Sequence, residues 1–186
     1  YHLIPRVLIF LTRGADVLLL RGAPTKRLWA NRYNGIGGHV ERGETILAAA
    51  WRELSEETGL LPAHLVPPGL WLCGVLSVDT VKNPGVGVFI FRGVLPYPHD
   101  ENAVPAGLPG ERSTSRPAEA SAPAFPEIAY AQIAPSSEGA LEWIHPSRLA
   151  SLPCLPDLPD LLPRCLAHPP AHPPLFAPST PRAARF

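Results

Sequence analysis

Three glycines within four residues, Gly35, Gly37 and Gly38, stand just before the chain's strongest helical run, and Gly59 closes that run. Glycines at this density exclude regular helix across 35–38 and let the backbone approach a ligand closely. From 45 to 58 an alanine- and leucine-rich sequence predicts a helix, with Glu44 or Thr45 near its start and Gly59 as the left-handed residue that ends it. Its apolar face is expected at Leu47, Ala50, Trp51 and Leu54, with Glu53, Glu56 and Glu57 on an adjacent but different face. One face packs, and the other presents acid beside a tight loop.

Strands surround this unit. Residues 4–11 and 16–20 read as two strands joined by the three-residue link Arg13-Gly14-Ala15, and a polar, basic loop follows with Lys26 and Arg27. Residues 72–81 and 86–95 read as a second hairpin turning at Lys82-Asn83-Pro84-Gly85. The stretch 96–137 is rich in Pro, Ala, Ser and Gly and is expected to be a long, mobile insertion. A short strand over 141–145 comes next, then helical pieces over 146–151 and 157–166, each with Pro near its first turn. The tail 167–186 has six prolines in twenty residues and is expected to be extended or disordered. The expectation is one domain over 1–166, interrupted by the insertion and followed by the tail.

Length and charge narrow the function classes. A chain of 186 residues, 46% of them hydrophobic, suits one domain with one site. Sixteen basic residues balance sixteen acidic ones, so no overall field favours duplex nucleic acid or an anionic membrane, and any phosphate site must be local. Cys73, Cys154 and Cys165 form no C-x-x-C pair, which argues against a zinc site or disulfide framework and fits the cytoplasm. No 18-residue apolar run or signal-peptide pattern is seen.

The acids carry the chemistry. Carboxylates favour a helix's first turn, and one near the negative last turn costs about 0.3 to 1 kcal/mol. Glu53, Glu56 and Glu57 occupy the last two turns and repel one another at i, i+3 and i+4. A bound divalent cation compensates such an arrangement. A hard, all-oxygen set without His or Cys selects Mg²⁺ or Mn²⁺ over Zn²⁺. Glu53 suits either a metal ligand or a general base, and Arg52 either orients it or is a surface partner.

Seven positions, Gly38, Glu44, Arg52, Glu53, Glu56, Glu57 and Gly59, follow a fixed spacing. At average usage of roughly 6 to 7% per residue type, a chance match is about 10⁻⁹ to 10⁻⁸ per start point. Residues 38–60 match the Nudix box, G-x5-E-x7-R-E-U-x-E-E-x-G-U with U apolar, without a departure, and the order of flanking elements resembles that family over roughly 3–166. The resemblance implies an α/β/α sandwich with a mixed sheet and Mg²⁺-dependent hydrolysis of a diphosphate bond in a nucleoside diphosphate derivative. It implies Glu53, Glu56 and Glu57 as metal ligands, with Glu53 a candidate base and a carbonyl of Gly37 or Gly38 completing the set. Arg52 would hold Glu53, and Glu44 would support the site. A further downstream ligand or base is expected at Glu138, with Glu142 the alternative.

The segment Tyr33-Asn34-Gly35-Ile36-Gly37-Gly38-His39-Val40-Glu41 is similar to the W-N-G-x-G-G-K-x-E of MutT-type members that remove oxidised purine nucleoside triphosphates such as 8-oxo-dGTP. Tyr33 replaces Trp, and His39 replaces Lys. The likeness implies that Asn34 hydrogen-bonds a purine edge; otherwise it is a turn residue before Gly35. His39 reads as a loop or packing residue. Lys26, Arg27 and Arg32 are candidates for phosphate contact or for a solvated basic loop. The alternatives are a nucleotide-binding or regulatory module without turnover, a hydrolase of another nucleotide such as ADP-ribose, and an isoprenoid diphosphate isomerase. The last lacks the proton-transfer residues it would need. Oligomeric state is open.

Overall fold

A computed structural model describes residues 2–79, 84–96 and 138–178. The strands are β1 (Leu3–Arg13), β2 (Asp16–Gly22), β3 (Tyr33–Asn34), β4 (Trp71–Val78), β5 (Gly85–Val94), β6 (Gly139–Ile144) and β7 (Leu175–Pro178); the helices are α1 (Ile46–Thr58) and α2 (Leu158–Leu166). Residues 97–137 of the insertion, residues 80–83 at the end of the expected strand 72–81 and the start of its turn, and the last eight residues lie outside the described residues.

Alternation along β1 sets the layers. Val7, Ile9 and Leu11 face the cluster that buries Ala49, Ala50 and Leu54 of α1, while Phe10 faces the cluster that buries Leu158, Leu162 and Cys165 of α2. Because successive strand side chains point to opposite faces, the sheet buries both sides and each helix covers one. This is the expected α/β/α sandwich.

The sheet runs β3-β2-β1-β5-β4-β7, with β6 on β2. It is mixed, since β1 pairs with β5 and β4 with β7 in parallel while the other ladders are antiparallel. Arg13 pairs with Asp16, so the first hairpin turns on two residues, Gly14 and Ala15, not three, with Gly14 at φ 57°. Part of the tail also differs from a free extension. Residues 175–178 form an edge strand beside Gly74 to Ser77, held by main-chain pairing that the short Leu-Phe-Ala-Pro sequence does not advertise.

The α1 helix starts where Thr45 Oγ1 accepts the Ala48 N–H at 3.1 Å and ends at Gly59, φ 73°, whose N–H reaches the Ser55 carbonyl at 2.8 Å. Its buried stripe is Ala49, Ala50, Leu54 and Glu57, whereas Leu47 is 45% exposed. This corrects the expected separation of faces. At about 100° per residue, seven positions return to within about 20° of the start, so Glu57 shares the stripe of Ala50.

Candidate active site

The glycine loop is laid along β1. The Ile36 N–H and carbonyl both bond to Ile9, and the Gly38 carbonyl accepts the Val7 N–H at 2.9 Å. With 36 and 38 turned toward β1, the intervening Gly37 N–H turns away and donates to Glu57 Oε1 at 3.4 Å. Gly37 has φ 145°, and a Cβ there would overlap the Val7 carbonyl, so only glycine lets the loop lie this close. At Gly38 a Cβ would overlap the Glu53 carboxylate. The loop and the helix end therefore touch through Gly37–Glu57 and Gly38–Glu53.

Arg52 organises the remaining acids. Its Nε and Nη2 donate to both oxygens of Glu44, at 3.2 and 2.9 Å, and Nη1 donates to Glu53 Oε1 at 2.9 Å and Glu56 Oε2 at 3.2 Å. Nη2 also donates to the His39 carbonyl at 2.9 Å. The hydrogen bonds to Glu44 raise the affinity of Arg52 for its proton and depress the Glu44 pKa. One planar guanidinium thus fixes three carboxylates and the loop backbone. Glu44 acts through Arg52, and its Oε1 also accepts the Glu41 N–H at 2.6 Å.

Glu57 is 9% exposed, and its Oε2 is buried without a hydrogen-bond partner. Burial pushes its pKa up to about 7; the Gly37 N–H opposes the rise, and the charges of Glu53 and Glu138 add to it. A buried acceptor with no partner is costly, and a cation is the natural complement for it. Among the described residues no three His, Cys, Asp or Glu side chains form a ready-made cage. Arg52 already occupies one oxygen each of Glu53 and Glu56, and Glu56 is turned to solvent, 59% exposed. The donor set nevertheless fits a hard divalent cation: hard oxygens, one of them buried and unpartnered.

The two downstream glutamates separate. Glu138 pairs with Lys26 and lies in the electrostatic neighbourhood of Glu57. Glu142 pairs in register with Leu19 of the α2-facing cluster and accepts the Tyr33 hydroxyl at 2.8 Å, so it points to the opposite face. Lys26 is better placed than a solvated loop cation, and nothing in its local sequence signals a partner 112 positions away. Asn34 pairs with Leu20 and alternates with Tyr33, which is buried on the α2 side; this directs Asn34 to the face that α1 covers. Arg32 Nη1 donates to the Cys154 carbonyl at 3.3 Å, where it anchors the segment before α2. His39 Nε2 meets Arg6 Nη2 at 2.8 Å, and burial together with Arg6 lowers its pKa.

The NUDIX domain sequence profile matches residues 2–144. The chain belongs to the Nudix family. It is 39% identical over 75 residues to the oxidized purine nucleoside triphosphate hydrolase of Mus musculus, a match covering 40% of this chain and 38% of that protein. The chain thus spans well under half the length of the curated relatives it matches. Among solved structures, the MutT protein of Bacillus halodurans superposes with a TM-score of 0.57 at 20% identity, covering 95% of this chain and 88% of that one. The NUDIX domain of Shewanella oneidensis NrtR, complexed with ADP ribose, gives 0.58 at 13% identity, covering 89% and 88%. Both are likenesses of fold. No helix among the described residues of this Nudix protein is long and apolar enough to cross a membrane.

Proposed function

We propose that this protein hydrolyses a diphosphate bond in a nucleoside diphosphate derivative, with an oxidised purine nucleoside triphosphate as substrate and the monophosphate and pyrophosphate as products. The observation that carries the reading is the buried, unpartnered Oε2 of Glu57, held beside Gly37 in the field of Glu53 and Glu138. Glu53, Glu56, Glu57 and Glu138, with a carbonyl of Gly37 or Gly38, are the groups that would hold Mg²⁺, or Mn²⁺ in its place. When bound, the cation neutralises charge on the phosphate oxygens.

The chain's own residues do the rest. Arg52 fixes Glu53 through Oε1, so that Oε2 keeps one orientation from which to accept a proton from water. Glu44 and the His39 carbonyl keep Arg52 from swinging to solvent. Lys26 pairs with Glu138 within the electrostatic field of Glu57, and Asn34 offers both a donor and an acceptor to a purine edge. The name of the mouse relative supports the oxidised-purine substrate. Three free, buried thiols fit a reducing compartment, in keeping with action on cytoplasmic nucleotides.

The test is a Mg²⁺-dependent panel of 8-oxo-dGTP, ordinary dNTPs, ADP-ribose and NADH with the wild type and Glu53→Gln. Highest kcat/KM on 8-oxo-dGTP, lost in Glu53→Gln, is the expected result. The likeness to a Nudix domain complexed with ADP ribose supports a second reading, a nucleotide-binding module. Binding without turnover on every substrate would establish that reading instead, and a preference for ADP-ribose would refute the role given to Asn34.

A further inference from the structure

On the α2 side of the sheet, across from the box helix, Trp71 of β4 and its register partner Arg92 of β5 line a cavity of about 340 Å³. That volume lies at the lower end of the range for small-molecule sites, about 300 to 1,000 Å³. Pro67, Pro68, Pro169 and Pro170 supply much of its apolar wall. The guanidinium is rigidly placed. Arg92 Nη1 donates to the carbonyls of Leu166 and His168, and Cζ sits 5.3 Å from the centroid of the Trp71 ring.

Among the described residues no carboxylate pairs with Arg92, and its electrostatic neighbours are the Cys73 and Cys165 thiols. Nε is buried without a partner, and Nη2 carries no hydrogen bond among the described residues and remains accessible. Two more buried polar atoms nearby, Trp71 Nε1 and His168 Nε2, are also unpartnered. A half-buried guanidinium satisfied only by two backbone carbonyls is an incomplete arrangement, because burying a charge is costly until an opposite charge meets it. Arg is also the side chain whose planar fork best matches a carboxylate or phosphate.

The geometry points to a second binding site here, for a small organic anion whose carboxylate or phosphate meets the open edge of Arg92 while its apolar body lies against the prolines and Trp71. This site uses none of the residues of the glutamate cluster and stands whether or not the diphosphatase reading holds.

The test is calorimetry and indole N–H spectroscopy on the full chain without metal, with phenyl phosphate, benzoate, inorganic phosphate and benzyl alcohol as probes. At least one aromatic anion binds and shifts an indole signal that Trp71→Phe removes; which of the two binds more tightly identifies the acid group. Inorganic phosphate and benzyl alcohol bind at least about tenfold more weakly, since each lacks half of the recognition. Arg92→Gln lowers affinity by at least about tenfold, Ala167→Trp, at an exposed position on the cavity wall, blocks the site, and Glu53→Gln leaves binding unchanged. Should Arg92→Gln fail to fold, Ala167→Trp decides alone. Absence of binding by both aromatic anions, equal binding by benzyl alcohol, or binding that survives in folded Arg92→Gln and Ala167→Trp overturns the proposal.

Discussion

The carboxylate of Glu53 lies against the Cα of Gly38, in the space a side chain would need at that position. This contact joins the glycine loop to the box helix, and it makes Gly38 a condition of where Glu53 stands. Gly38→Ala is expected to fold, because the displaced atoms are the end of a flexible side chain. Its kcat should fall by about 10²-fold, the scale on which a displacement of about 1 Å acts. Steady-state kinetics beside circular dichroism checks this; unchanged kcat would show that the position of Glu53 is immaterial.

Arg52 bonds to Glu44, Glu53, Glu56 and the His39 carbonyl. A lysine keeps the charge and loses the fork, so Arg52→Lys should lower kcat by at least about tenfold with a smaller change in KM. Equal loss in KM alone would assign Arg52 to substrate binding instead.

Glu57 has a folded-state pKa of about 7, raised above the ordinary carboxylate value chiefly by burial. Between its unfolded and folded pKa values the native state holds the proton that the unfolded state has released. Metal-free stability should therefore fall as pH rises from about 4.5 to about 7, by at most about 3 kcal/mol, and level off above that. Chemical denaturation under chelator measures the slope, and Glu57→Gln should flatten it. Above pH 7, Mg²⁺ should raise Tm in the wild type and do so less in Glu57→Gln.

Glu138 and Glu142 lie on different faces of the sheet. Glu138→Gln should reduce kcat by about 10²-fold or more, the usual scale for a positioned acid–base group, whereas Glu142→Gln should stay within about threefold. The reverse order would place the catalytic face on the α2 side.

Much of the site is legible in residues 38–60 because the energetics there are local. A cap, a left-handed glycine and the spacing of acids fix a helix of known length and direction from its own sequence. The local patterns marked most of the strands and both flanking helices, whereas their assembly into an α/β/α sandwich was implied by the resemblance to the Nudix family. What local pattern misjudged was Glu57, which reads as an exposed acid and is buried, because its stripe is closed by a loop that β1 holds in place. The strand 175–178 was missed for a similar reason, since it exists only through main-chain pairing with β4.

By itself, then, the sequence determined the helix, its caps and the presence of acid where negative charge is least welcome, which is the ground for proposing a cation there. Only the tertiary structure decided which acid is buried without a partner, that Glu138 and not Glu142 joins it, that Lys26 meets Glu138, and that among the described residues no carboxylate pairs with Arg92 beside Trp71. Each of these depends on residues far apart along the chain. Their distances are set by sheet order and register, which no short stretch of sequence encodes.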